Sequence, residues 1–252
     1  MRQYITSARG EGVKFVKKLI SDSSFRRERN LVVVEGERTI ADLPAHVMVE
    51  SVYILKEKED KFSRFFGLCG DVNICTENVM RAISSAVTPP GVLAVVQLPP
   101  QREQGDRLIV LDGITDPGNM GTVIRTAAAL GGWDVLCVDC CSATSPKAVR
   151  AGMGGIFRVN VKEISGEEAE KYTRGYKIFA LNMHGENVYN IKKDEFTGRF
   201  AVAVGGEAFG LSDGLRKRAD KIISLPMPGD MESLNAAVSL AVTLYTVEYA
   251  LK

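Results

Sequence analysis

No run of about 18 consecutive apolar residues occurs in this chain, so it lacks the sequence signature of a membrane-spanning helix. Its first residues, Met1-Arg2-Gln3-Tyr4, lack the apolar stretch of a secretory signal, and a soluble, cytoplasmic protein is expected. Cysteine is sparse. The five thiols are an odd number for a disulfide framework. Cys137-Val-Asp-Cys140 spells C-x-x-C, but a structural zinc site needs a second pair, and His46 and His184 are the only histidines. No metal is therefore implied. The dinucleotide fingerprint G-x-G-x-x-G is also missing, which counts against an oxidoreductase on a Rossmann-like sheet. The formal net charge of +1 argues against a nonspecific polycation.

What is present is ordinary globular composition, 45% hydrophobic and 25% charged over 252 residues, enough for one large domain or two small ones. Charge is unevenly placed. The first 30 residues carry Arg2, Arg9, Lys14, Lys17, Lys18, Arg26, Arg27 and Arg29 against Glu11, Asp22 and Glu28. That excess is either a solvated helix face or a surface that neutralises phosphates. Between two apolar runs, the polar stretch 97–106 is broken by Pro99, Pro100 and Gly105. It divides the chain into a domain over 1–98, a linker over 99–106 and a domain over 107–252.

Upstream, strands are expected at 31–34, 52–55 and 91–96, with helices at 14–20 and from Arg38 to Leu43: a small α/β domain. Downstream, strands at 108–111, 133–138, 177–181, 200–204 and 221–225 alternate with helices at 119–130, from Pro146 and from about Glu232. This alternation predicts a parallel sheet with helices on both faces. The last helix has apolar positions at 234, 237, 238, 241, 244 and 245, widened by 240, 247 and 251, which predicts cover on more than one side and a homodimer seam.

Ligands of such sheets bind beyond the carboxyl ends of the strands, and three segments stand there. The first, 112–126, is a Gly-rich loop opening a helix that carries Arg125, suited to an anion or to a plain turn with a surface ion pair. The second, 202–212, runs a buried strand into Gly205, Gly206 and Glu207; paired glycines admit close approach of a ligand, and Glu207 is either a site acid or a helix-start acid. The third, 223–235, is a Pro-rich loop leading to Ser233 and Asn235, where Ser233 has the position of an N-cap.

Together these segments resemble the SpoU (TrmH-like) branch of the SPOUT methyltransferases. The first family motif stands as Asn119, Gly121, Arg125, Thr126 and Ala127, the second as Gly205, Gly206, Glu207, Gly210 and Leu211, and the third as Pro226, Met227, Ser233, Leu234 and Asn235. The stretches 34–38 and 88–96 are similar to the RNA substrate-binding domain that precedes many of these enzymes. Two departures stand out: Gly206, where the family often has asparagine, serine or alanine, and Gly152, where serine is frequent.

The resemblance implies a carboxyl-terminal trefoil knot, where alternation alone gives an unknotted sheet. It implies an S-adenosylmethionine-dependent RNA 2'-O-methyltransferase acting on ribosomal RNA (23S), with transfer RNA, or an RNA binder with a degenerate knot, as alternatives. Gly205, Gly206, Glu207, Gly210, Leu225, Pro226, Met227 and Leu234 are then expected around the cofactor. Arg125, Asn119, Glu207, Ser233 and Asn235 are expected in catalysis. The amino-terminal domain is expected to meet RNA through Arg9, Lys14, Lys17, Lys18, Arg26, Arg27, Arg29 and Arg38, with Arg125 touching RNA at the reacting hydroxyl. Methyl transfer from a sulfonium needs no metal, since the leaving thioether is neutral; placement of the ribose oxygen is what the protein must supply.

Overall fold

A computed structural model describes residues 2–207 and 209–251. It divides into two compact units, one of Met1–Pro100 with Thr144–Arg158, the other of Gln101–Ala143 with Val159–Lys252. The segment Thr144–Arg158, which the sequence reading assigned to the domain over 107–252, thus joins the first unit.

The first unit runs β1 (Arg2–Ile5), α1 (Glu11–Ser21), α2 (Ser23–Arg29), β2 (Leu31–Glu35), α3 (Glu37–Ala41), β3 (Val49–Leu55), β4 (Val72–Cys75), α4 (Glu77–Ala82) and β5 (Val92–Gln97). Its sheet has the order β1-β4-β3-β5-β2. β1, β4 and β3 are parallel, while β5 is antiparallel to both β3 and β2. Helix α1 forms because Val13, Val16 and Leu19 fall on one face, which packs with Phe25, Val33 and Met80. The Asp22 carboxylate accepts the Phe25 N–H at 3.0 Å and caps α2, which ends where Asn30 turns left-handed at φ 53°.

The chain then forms β6 (Arg107–Asp112), α5 (Pro117–Leu130) and β7 (Asp134–Val138), and sends α6 (Pro146–Ala151) onto β2 of the first unit. It continues through β8 (Val161–Ile164), α7 (Ala169–Thr173), β9 (Lys177–Asn187), β10 (Phe200–Gly205), α8 (Asp213–Arg218), β11 (Lys221–Ser224) and α9 (Ala236–Leu251). The second sheet has the order β11-β9-β10-β6-β7-β8, and every pair in it is parallel.

Alternate residues of its strands, Leu108, Val110, Ile178, Ala180, Ala201 and Ala203 among them, pack with Ala169 of α7 and Leu215 of α8. α5 lies against β7, and α9 against β10 and α5. Helices therefore cover both faces, as the alternation predicts. Glu248 pins α9 to the sheet, accepting from Arg107 Nη1 at 2.5 Å and Trp133 Nε1 at 2.7 Å.

Among the described residues, no helix is long and apolar enough to cross a membrane. Helix α9 starts at Ala236 and not near Glu232. Its cap is Asn235, whose Oδ1 accepts the N–H groups of Ala237 at 3.0 Å and Val238 at 3.2 Å. Ser233, the expected N-cap, is exposed and plays no part in it.

Candidate active site

Because the second sheet is wholly parallel, the carboxyl ends of β6, β10 and β11 share one edge, with Asp112, Gly205 and Ser224 as their last residues. Helix α5 starts from that edge, with Asp116 Oδ1 accepting the Asn119 N–H at 3.0 Å and Pro117 in the first turn, where no N–H is needed. Three residues from three separate segments meet here. Asn235 Nδ2 donates to Asn119 Oδ1 at 3.0 Å, and Asn119 Nδ2 donates to Glu207 Oε1.

The direction of this chain is fixed by donor and acceptor inventory. Asn235 must turn its carbonyl oxygen to the two N–H groups it caps, so its amide nitrogen faces outward. Asn119 must then present its oxygen to Asn235, leaving its own nitrogen for the acceptor-only carboxylate of Glu207. Glu207 is exposed, so its second oxygen remains open to solvent or substrate.

The paired glycines also let the backbone of this chain pack against itself. A Cβ on Gly205 would lie 2.0 Å from the Gly210 carbonyl carbon, and one on Gly206 would lie 2.4 Å from the Gly113 carbonyl oxygen. Both contacts are with backbone, so the glycines let strands and loops of this chain close on one another. The Gly206 N–H donates to Asp112 O at 2.8 Å, and the Gly210 N–H donates to Gly206 O at 2.8 Å. At Gly206 there is no room for the side chain that relatives often carry.

The loop after β11 fits a polar ligand. Among the described residues, the main-chain groups of 225–234 make no hydrogen bond, although β11 before them pairs with β9 and α9 follows them. Leu225 and Met227 are half-buried there, while Pro226 and Leu234 are exposed. Free N–H and C=O groups with apolar side chains beside them can hold a ligand that carries both an amino acid and a base, and S-adenosylmethionine meets that description.

Arg125 projects from the exposed side of α5 and has no side-chain partner among the described residues. Ser233 is exposed and likewise makes no side-chain hydrogen bond among them, so it stands outside the Asn235–Asn119–Glu207 chain. Cys140 Sγ accepts the Ile114 N–H at 3.3 Å. The nearness of the two thiols holds Cys140 below the ordinary value and, with burial, pushes Cys137 up.

In the first unit, Arg9, Lys14, Lys17, Lys18, Arg27, Arg29 and Arg38 are exposed. Arg26 is a correction. It is 3% exposed, and its guanidinium donates to Leu19 O at 2.7 Å, Ile20 O at 3.2 Å and Thr144 Oγ1 at 3.1 Å. It closes the end of α1 and is not presented to RNA. Asp112 and Ser212, joined by the Ser212 N–H donating to Asp112 Oδ2 at 2.6 Å, lie beside the site residues and were not among those expected; the only sequence signal was an acid at the end of an apolar strand.

The profile of the SpoU rRNA Methylase family matches residues 106–245, and that of the MRM3-like substrate binding domain matches residues 11–94. The chain is 28% identical over 247 residues to the 23S rRNA (guanosine(2553)-2'-O)-methyltransferase RlmP of Bacillus subtilis, covering 96% of this chain and 97% of that protein. It is 27% identical over 216 residues to the 23S rRNA (guanosine-2'-O-)-methyltransferase RlmB of Haemophilus influenzae, covering 78% and 87%. The crystal structure of the SpoU methyltransferase AviRb from Streptomyces viridochromogenes in complex with AdoMet superposes with a TM-score of 0.79 at 25% identity, covering 95% of this chain and 97% of that one.

Proposed function

We propose, from the premise that the chain belongs to the SpoU rRNA methylase family, that it methylates a ribose 2'-hydroxyl of ribosomal RNA, of the 23S class, using S-adenosylmethionine. The observation that carries this reading is the hydrogen-bonded chain from Asn235 through Asn119 to Glu207, which joins all three motif segments at the ligand edge of a parallel sheet. S-adenosylmethionine supplies a methyl group on a positively charged sulfur. The residues of the chain have the remaining work of holding, orienting and charge stabilisation.

Main-chain groups of 225–234, with Gly205, Gly206, Gly210, Leu225, Pro226, Met227 and Leu234 around them, hold the cofactor at the sheet edge, in the knot that the family resemblance implies. Asn119, Glu207 and Asn235 form a rigid polar floor beside it, and Ser233 borders it from the loop. Arg125, exposed and unpaired among the described residues, meets the RNA phosphate and the reacting hydroxyl. A guanidinium keeps its protons at neutral pH and is a poor base, so its work is orientation and stabilisation of the developing alkoxide.

The first unit, with its MRM3-like substrate binding profile, selects the RNA, and the exposed cations of α1 and α2 contact phosphates. The second unit dimerises through α9. The protein acts in the cytoplasm, where ribosomal RNA is found.

The test is transfer of labelled methyl from S-adenosylmethionine to unmodified ribosomal and transfer RNA, with product nucleosides identified, for the wild type and Arg125→Ala. A 2'-O-methylated nucleoside in ribosomal RNA is expected. Arg125→Ala should lower turnover on the order of a hundredfold with cofactor affinity nearly unchanged. Label confined to transfer RNA, or on a base, overturns the substrate or the reaction; near-normal turnover of Arg125→Ala overturns its role.

A further inference from the structure

Asp112 is 6% exposed at the end of β6, and a carboxylate so placed is costly unless its oxygens are bonded. Both of its acceptor groups are used on one segment of chain. Its carbonyl oxygen accepts the Gly206 N–H at 2.8 Å, and its carboxylate Oδ2 accepts the Ser212 N–H at 2.6 Å. The segment between, closed on itself by the Gly210 N–H donating to Gly206 O at 2.8 Å, carries Glu207. Asp112 therefore grips the Glu207 loop at both of its feet.

Asp112 is also the residue from which the chain leaves for α5, the helix that carries Asn119. The hydrogen bond from Asn119 to Glu207 thus closes a ring through Asp112, in which no other side chain holds the Glu207 loop to β6 among the described residues.

We infer that Asp112 is a positioning residue that sets Glu207 against Asn119 for the methyl transfer proposed above, a reading on which this inference rests. It touches neither RNA nor cofactor in this role and acts through the loop.

Full-length protein serves for the test, with single-turnover methyl transfer and hydrogen exchange at the Gly206 and Ser212 amides as its two readouts. Asp112→Ala should slow transfer roughly thirtyfold with KM for RNA within about twofold, and Asp112→Asn, which keeps a neutral acceptor, should recover most of the rate. In a Glu207→Gln background, loss of Asp112 should slow transfer by less than about threefold more, because both changes break the same connection. The two amides should exchange at least about tenfold faster in Asp112→Ala and return towards normal in Asp112→Asn.

Ser212→Pro removes the donated N–H from the other side at a φ of −57° that suits proline, and it carries the test should Asp112→Ala fail to fold. Wild-type rate and exchange in Asp112→Ala, a wild-type rate with wild-type exchange at Gly206 in Ser212→Pro, or losses that simply add to that of Glu207→Gln, overturn the inference. Faster exchange in a protein whose wild type transfers no methyl to any RNA leaves the grip in place and refutes the proposed function alone.

Discussion

An added Cβ at Gly206 would lie 2.4 Å from the Gly113 carbonyl oxygen, so a position where relatives often carry serine, alanine or asparagine is filled here by backbone. Overpacking of this kind costs about 1–3 kcal/mol, against the ~0.4–1 kcal/mol that a Gly-to-Ala change returns by stiffening the unfolded chain. The net sign is destabilising. Gly206→Ala should lower the unfolding midpoint and, by displacing the neighbouring Glu207, the methyl-transfer rate; a variant as stable as the wild type in denaturant titration would show that Gly113 can give way. The same scale separates what the sequence could say of the site from what it could not. Asn119, Glu207 and Asn235 were legible because three motifs named them, and the hydrogen bonds join those three. Arg26 was misread because charge does not report burial: what claims its guanidinium is a pair of carbonyls at the end of α1.

Strands expected from apolar runs are present, while β1, β4 and β8 left no readable trace. β1 is an exposed edge strand, β4 is four residues long, and β8 carries Lys162 and Glu163 at a sheet edge, so none shows alternation or a sustained apolar run. Helix α9 shows the opposite case, an excess of signal. Leu240, Leu244 and Val247 are buried against the protein, yet Val238, Val242, Tyr245 and Tyr249 remain exposed at spacings that place them along one side. Tyr245 is 56% and Val238 46% exposed, and a continuous apolar stripe of this kind marks a contact surface. A second copy of the chain is the occupant proposed for it. Light scattering should give the mass of two chains for the wild type and of one for Val238→Glu/Tyr245→Glu, with the fold retained; a monomeric wild type would refute the seam.

The segment Thr144–Arg158 changes how the RNA-binding role of the first unit must be tested. α6 leaves the second sheet after β7 and packs on β2, where Arg150 Nη1 donates to Ser85 Oγ at 2.8 Å and stands 3.8 Å from the buried Glu35 carboxylate. Periodicity could place α6 as a helix but not assign it to a unit, since a short amphipathic helix carries no mark of its partner. Cutting the chain near residue 98 would strip Ala148, Val149 and Phe157 of cover, so loss of RNA binding in such a fragment would report damage as readily as function. The exposed cations of α1 give a cleaner probe, because Lys17 lies on the outer surface of that helix. Lys17→Gln in the full chain should leave thermal unfolding unchanged within about two degrees, since surface changes of this type stay within ~0.5 kcal/mol. RNA affinity should fall, and the slope of log K against log salt should flatten by roughly 0.7–0.9 for each phosphate contact removed. An unchanged slope in a stable variant would move the RNA-binding surface away from this helix.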